Sequence, residues 1–362
     1  MTWRPELPYD GLPPLPPTQE LETKKVLKLT IEARDALARF DAKANSLHNP
    51  TVLINAIPLL EAQASSEIEN IVTTTDELFV AEAIESTASP AAREALRYRT
   101  ALLRGWESLQ RKPLSALTAA EVCNAIRGHN EGFRKGDGTG GLYIGEPVTH
   151  HRIYTPPADP QSLIALRDNW SMFLNDKTND IDPLVKMAVA HYQFEAIHPF
   201  NDGNGRTGRI MNILMLCDAG LLAKPLLYLS RYIIETKDDY YKLLRSVTKD
   251  NQWELWIAYI IQGVLDTATR SLNVISQIED VQRHLLDSIR QISGTANKDL
   301  QATLMQQPYS RIKNVMDICK VSRPTATKWL KELEENGELS SMQIGRELLY
   351  INTKFMNVLK SA

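Results

Sequence analysis

Thirteen residues near the middle of the chain fix most of what it can become: His198-Pro199-Phe200-Asn201-Asp202-Gly203-Asn204-Gly205-Arg206-Thr207-Gly208-Arg209-Ile210. A helical run enters this stretch, a glycine-rich turn interrupts it, and the apolar run from Ile210 to Leu216 continues as a buried helix. Gly203 and Gly205 lack a Cβ, so the turn can take positive φ and press its amides against an anion. The second helix begins with unpaired N–H groups and the positive end of its dipole, which together make a phosphate site. Arg206 and Arg209 stand three apart, which predicts a shared helix face holding two phosphates of one polyphosphate. His198 brings an imidazole that titrates near neutrality, and Asp202 a carboxylate suited to a divalent cation. A satisfied histidine or a solvated arginine pair would explain one feature alone but not the whole string. No Gly-Lys-Ser/Thr follows the glycines, so this is not a Walker loop.

The string matches, without departure, the His-Pro-Phe-x-Asp/Glu-Gly-Asn-Gly-Arg-x-x-Arg signature of the Fic family, which the chain therefore resembles. The resemblance implies an all-helical Fic fold and transfer of AMP from ATP to a hydroxyl side chain of a target protein. His198 would take the proton from the attacking hydroxyl, and Asp202 would hold Mg²⁺ on the phosphates. Gly203, Asn204, Gly205 and Arg206, with Thr207 and Gly208 in the same turn, would cradle ATP. Arg209 would take the γ-phosphate.

Upstream, Ala64-Ser65-Ser66-Glu67-Ile68-Glu69-Asn70 places Ser65 and Glu69 four apart, on one helix face if the helix continues. Alone, such a pair reads as a solvated face. Ahead of a Fic motif it resembles the family's Ser/Thr-x-x-x-Glu-Gly/Asn inhibitory motif, carried here by Ser65, Glu69 and Asn70. The resemblance implies that Glu69 pairs with Arg209 and forces ATP into an unproductive pose. A carboxylate–guanidinium pair is bidentate and strong where water is excluded. Restraint would then lie within one chain, with no separate antitoxin.

The remainder reads as mainly α. Six prolines in residues 1–17 make an extended arm, packed by Trp3, Leu7, Tyr9 and Leu12. A helix is expected from Thr18 to about Ala44, with Leu21, Val26, Leu29 and Ile31 as core candidates, and Asn49-Pro50 starts the next. Thr74-x-x-Glu77, Ser89-Pro90 and Thr118-x-x-Glu121 read as helix starts. Residues 132–157, with Gly136, Gly138, Gly140 and Gly141 ahead of alternating β-branched and aromatic residues, read as a hairpin. Neighbouring His150 and His151 would face opposite sides of a strand, which argues against a joint metal site. The family likeness implies a flap here, with His151, Arg152, Ile153 and Tyr154 pairing to the target segment. Further helices are expected over 160–176, from Asp182-Pro183 to His198, and over 252–291. His191 reads as packing, as do Trp253 and Trp256. Tyr240 and Tyr241 are candidates for contact with adenine or for the core.

Ser293-Gly294-Thr295-Ala296-Asn297 reads as a linker, and residues 298–362 as three short helices and a two-stranded ribbon, a pattern that resembles a winged helix-turn-helix domain. Arg323, Thr325 and Lys328 on its third helix and Arg346 in its wing suit phosphate or base-edge contacts. Glu332, Glu334 and Glu335 share that helix, so DNA and protein partners stay equally open. The expected division is 1–110, carrying the inhibitory helix at about 50–71, then a catalytic core over 111–292 and the winged domain over 298–362.

Composition only bounds these readings. Forty-one basic and 44 acidic side chains leave a net charge of -3, which favours no polyanion partner across the whole surface. Cys123, Cys217 and Cys319 are too scattered for a disulfide framework or a zinc site. Without a leader-like start or a long apolar run, a cytoplasmic protein with no membrane contact is expected. A homodimer through the long helix is compatible with the pattern. Two other functions stay open: removal of AMP with Glu69 activating water, and a DNA-binding regulator that senses nucleotide.

Overall fold

The structure, a computed structural model, describes residues 3–47, 51–145, 151–293 and 297–362. It is mainly helical, as the sequence pattern requires. The N-terminal arm packs through Leu12, Leu15 and Leu21, while Trp3 stacks on Tyr154 at 6.5 Å and Tyr9 meets the same ring edge-on. Leu7, expected in that contact, is 54% exposed. Helix α1 (Lys24–Ser46) starts six residues later than expected, because Thr23 is its N-cap, accepting from the Val26 amide at 3.3 Å. Its buried stripe is Val26, Thr30, Ala33, Leu37, Phe40 and Ala44, alternating steps of four and three. Leu29 is half-buried beside that stripe, and Ile31 lies off it and is exposed.

Helix α2 (Thr51–Ile68) lies among α3 (Thr75–Ala83), α4 (Pro90–Leu109) and, further on, α8 (Asn204–Asp218) and α9 (Leu229–Glu235). Buried Glu61 anchors it, accepting from Tyr98 Oη at 2.9 Å, from the Ser230 amide at 2.8 Å and from the Ser230 hydroxyl. Thr74 and Glu77 form the expected capping box and Ser89 caps α4. In α5 (Ala116–Arg127) the cap is Ser115; Thr118 lies inside, its hydroxyl accepting from the Ser115 amide. Strands β1 (Ile144–Gly145) and β2 (Arg152–Tyr154) pair antiparallel as the expected hairpin. Val148, Thr149 and His150 lie outside the described residues, as do Asn49, Pro50 and linker residues 294–296.

Helix α6 (Pro160–Asn175) leads to α7 (Pro183–Ile197), started by the Asp182 cap and Pro183. Thirteen residues of α7, Leu184, Val185 and Met187 to Ile197, are buried, which leaves no exposed face, so it is the axis of the domain. Around it stand α8 (Asn204–Asp218), α9 (Leu229–Glu235), α10 (Lys237–Asp250) and α11 (Trp253–Ser293). Trp170 and Trp256 donate their indole N–H groups to the Ala190 and Ala188 carbonyls of α7, at 2.9 and 2.7 Å.

Beyond α11 come α12 (Lys298–Gln306), β3 (Tyr309–Arg311), α13 (Ile312–Cys319), α14 (Arg323–Glu335), β4 (Ser340–Ile344), β5 (Glu347–Ile351) and α15 (Thr353–Ser361). The three expected helices and the ribbon are present. The sequence reading omitted β3, which pairs with β5 in the order β3-β5-β4, and the closing helix α15. This unit abuts α2 and α3: Tyr309 Oη donates to Asp76 at 2.7 Å, and Asn55 donates to the Gln306 carbonyl at 3.1 Å. No helix among the described residues is long and apolar enough to cross a membrane.

Candidate active site

The site is built where α7 stops and α8 begins. His198 ends α7 in the left-handed region at φ 51°, and Gly203 takes φ 85° to open α8. Between them Asn204 staples the loop, its side chain accepting from the Phe200 amide at 2.9 Å and donating to the Phe200 carbonyl at 2.8 Å. The residue expected in the anion cradle thus has its amide turned into the loop. Thr207 is buried, and Gly208 lets α8 approach α7: a Cβ there would lie 2.4 Å from Glu195 Oε1.

The two arginines do not act as one face. Arg206, 4% exposed, is ion-paired with Glu94 of α4 and meets Asp202 at 3.2 Å. Arg209, 2% exposed, turns to the end of α2 instead. Its Nε donates to Ser65 Oγ at 2.8 Å, and its Nη2 donates to the Ser65 carbonyl and to Glu69 Oε1, both at 2.8 Å. Helix α2 ends at Ile68, so Glu69 reaches Arg209 from the following turn rather than along a continuous helix face. Asn70 takes φ 62° there, and the Ile71 amide donates back to the Ser66 carbonyl at 3.0 Å. Burial opposes the charge on Glu69, yet Arg209, with Arg206 behind it, outweighs it and holds the carboxyl below its usual range. Burial likewise opposes the charge on Arg209, and Glu69 raises its pKa above the ordinary value.

His198 is neutral over most of the pH range: burial, then the Arg134 cation, push its pKa down to about 4. Asp202 is exposed and pairs with Arg127 at 2.7 Å as well as with Arg206. Its carboxylate would suit a divalent cation such as Mg²⁺, which would share it with Arg127 on Oδ2 and with the Gly203 amide, at 2.6 Å, on Oδ1. Among the described residues no group of three or more His, Cys, Asp or Glu could hold a metal.

Glu69, Asn70, His198, Gly205 and Arg209 open into one cavity of about 560 Å³, closed by Ile153 and Tyr154 of β2 and by Tyr240 and Tyr241 of α10. Tyr240 is fully buried and its hydroxyl is bonded to His191 Nε2 at 2.9 Å; Tyr241, half-buried, meets it edge-on. His191 is core, stacked on Trp256, and burial followed by Arg209 pushes its pKa down to about 3. Arg152 lies over the Tyr143 ring at 4.4 Å, and His151 is exposed at the strand start. Sequence reasoning missed Glu94, Glu195, Lys237 and Arg245. Lys237 and Arg245 line the cavity from α10, and Lys237 donates to Asn70 Oδ1 at 3.4 Å. Glu195 faces it from α7, three residues before His198; burial pushes its carboxyl up to about 8, and its Oε1 has no hydrogen-bond partner. Only the count back from His198 could have drawn notice to Glu195.

In the C-terminal unit Arg323, Lys328 and Arg346 are exposed, and Thr325 is half-buried with its hydroxyl on Ser322 at 2.9 Å. Arg323 and Lys328 share a cleft with Glu332 and Glu335, and Lys328 pairs with Glu332 at 3.7 Å.

Three family profiles match the chain in succession. They are Fic/DOC family N-terminal over residues 27–107, Fic/DOC family over 117–216, and the C-terminal domain of SoFic-like protein adenylyltransferase over 283–355. The chain belongs to the Fic/DOC family. Protein adenylyltransferase fic-1 of Caenorhabditis elegans is 34% identical over 91 residues, 25% of this chain and 17% of the relative. A probable protein adenylyltransferase of Aquifex aeolicus is 33% identical over 171 residues, 45% of this chain and 48% of the relative. The chain thus spans less than half the length of these curated relatives. A crystal structure of a Fic family protein from Desulfovibrio desulfuricans superposes with a TM-score of 0.56 at 19% identity, over 91% of this chain and 96% of that one. Fic-1 of C. elegans superposes at 0.54 with 21% identity, over 69% and 73% of the two chains. At these identities the likeness is one of fold.

Proposed function

We propose that this protein is a protein adenylyltransferase that moves AMP from ATP to a serine, threonine or tyrosine hydroxyl, and that Glu69 restrains it by occupying Arg209. The observation that carries the reading is the shared cavity: His198 and Arg209 both open into it, and Glu69 sits on Arg209 within it. The names of the curated relatives support the same reaction. His198, neutral at physiological pH, accepts the proton of the target hydroxyl. The hydroxyl oxygen then bonds to the α-phosphorus and the bond to the bridging oxygen breaks, releasing pyrophosphate. Arg209, freed from Glu69, binds the γ-phosphate and sets the α-phosphate in line for attack. The first turn of α8, at Asn204, Gly205 and Arg206, supplies its free amides to the phosphates. Mg²⁺, held by Asp202, would offset phosphate charge there. Tyr241 offers a ring to the base, and the edge of β2 offers backbone groups to the target segment.

The test uses wild type, Glu69→Gly and His198→Ala with ATP labelled at the α- or γ-phosphate, with Mg²⁺ and cell lysate. Protein should carry α-label and no γ-label with Glu69→Gly, and none with His198→Ala. Absence of α-label from a Glu69→Gly protein that binds ATP would refute the proposal.

A further inference from the structure

We infer that Arg134 is a positioning residue for the transfer reaction, locking the turn that carries His198 onto the base of the hairpin. The inference rests on the reading of the site as an adenylyltransferase. Helix α7 ends at Ile197, and the last carbonyls of a helix have no donor within it. Here the Ala196 and Ile197 carbonyls, and those of His198 and Pro199 just beyond, find donors in the segment 134–157. Tyr154 Oη donates to the Ala196 carbonyl at 2.8 Å. The Arg134 guanidinium donates through Nη2 to the Ile197 carbonyl at 2.9 Å and through Nε to the His198 carbonyl at 2.6 Å. Its own amide donates to the Pro199 carbonyl at 3.0 Å. Nη2 also donates to the Pro157 carbonyl at 2.7 Å, just past β2.

One planar fork therefore joins the two sides of the site. It holds the backbone of His198, whose left-handed conformation is sparsely populated for a residue with a Cβ. It also holds the end of the strand whose edge faces the cavity. Among the described residues Arg134 has no carboxylate within ion-pair distance, and all of its side-chain hydrogen bonds go to backbone carbonyls. Phe133 stacks on Phe200 at 5.4 Å and keeps the adjoining backbone against the turn. A lysine cannot reproduce this: its ammonium is a point charge without the rigid fork. Arg134 itself does not line the cavity, so loss of the fork should move His198 against the bound target while ATP affinity stays.

The test places Arg134→Lys and Arg134→Ala in the Glu69→Gly background of the full-length chain. Melting temperatures are read first; the lysine variant, which keeps the cation and one donor, carries the test if the alanine variant does not fold. The transfer rate at saturating ATP should fall at least about tenfold with lysine and about a hundredfold with alanine, as for a misplaced catalytic group. The dissociation constant for ATP should stay within about threefold of the parent, since Arg134 and its three carbonyl anchors lie outside the phosphate cradle. A lysine variant with the parent's rate would overturn the inference. So would rate and ATP affinity falling in step, which would make Arg134 a support of the whole cavity. If the Glu69→Gly parent transfers no label while binding ATP, the adenylyltransferase reading has failed and takes this inference with it.

Discussion

Replacing Glu69 tests the centre of the argument, and the size of the effect follows from the contacts of Arg209. The guanidinium donates three hydrogen bonds, two to Ser65 and one to Glu69. Glu69→Gly removes only the third, and leaves the Ser65 bonds to hold the arginine in place. A charge-assisted hydrogen bond contributes about 2 kcal/mol net. The full Coulomb energy does not apply, because the Glu69 side chain is 33% exposed and partly screened. At 1.36 kcal/mol per tenfold, freeing Arg209 by about 2 kcal/mol should raise the transfer rate at sub-saturating ATP by roughly thirtyfold. Glu69→Gln keeps an acceptor but loses its charge, so a weaker bond from the guanidinium, about 1 kcal/mol, remains and the gain should be roughly fivefold. The assay is the initial rate of α-label incorporation at matched ATP and Mg²⁺. If both variants stay within twofold of wild type, restraint by Glu69 is refuted. A fast glycine variant beside a glutamine variant no faster than wild type would refute the charge argument and leave steric blockage. The geometry gives that alternative substance: a Cβ built on Gly205 would lie 2.2 Å from Glu69 Oε1, so the carboxylate rests directly on the first turn of α8.

Three further outcomes follow from the buried groups. Because His198 loses its proton near pH 4, the transfer rate of Glu69→Gly should hold as pH falls through 6.5 and drop only well below it; an acid limb centred at 6.5 would contradict the burial of this imidazole. Glu195 is raised to about 8 from an ordinary 4.5, so folding binds a proton that the unfolded chain gives up above 4.5, and that contribution is lost as pH rises through 8. Glu195→Gln should therefore gain stability over the parent between about pH 5 and 8 and level off above, read by denaturant unfolding; a pH-independent difference would refute it. Gly208→Ala would put a Cβ 2.4 Å from Glu195 Oε1 and 3.1 Å from Phe194 Cδ1, forcing α8 away from α7. It should cost about 1–3 kcal/mol and lower the melting temperature by several degrees; an unchanged midpoint would show that the helices can separate freely.

The local features were legible because their causes are local. A cap needs one side chain and the next amides, so Ser89 and Asp182 begin helices and Gly203 opens α8. A helix with apolar residues on every side must be central, and α7 is. The chain from His198 to Arg209 declared its chemistry because base, carboxylate, glycines and cations fall within about twelve residues of backbone. Errors arose where a pattern was read without its partner. Ile31 fits a helix but lies off the stripe that α1 buries, and Thr118 fits a capping motif whose cap is Ser115.

What the tertiary structure alone decided is where each charge finds its counter-charge. Spacing put Arg206 and Arg209 on one face, yet Glu94 of α4 draws one of them away and Glu69 takes the other, because buried guanidinium groups go to whichever carboxylates the packing delivers. The residue that holds His198 is 64 positions earlier, and no periodicity links them. Glu195 reads in the sequence as one more helix residue; only the walls of α7, α8 and α10 around it make its carboxyl a proton-holding group. The sequence thus determined which chemical groups this protein has and which helices carry them. Folding determined which of those groups lose water together, and that loss sets both the strength of the Glu69–Arg209 pair and the neutrality of His198.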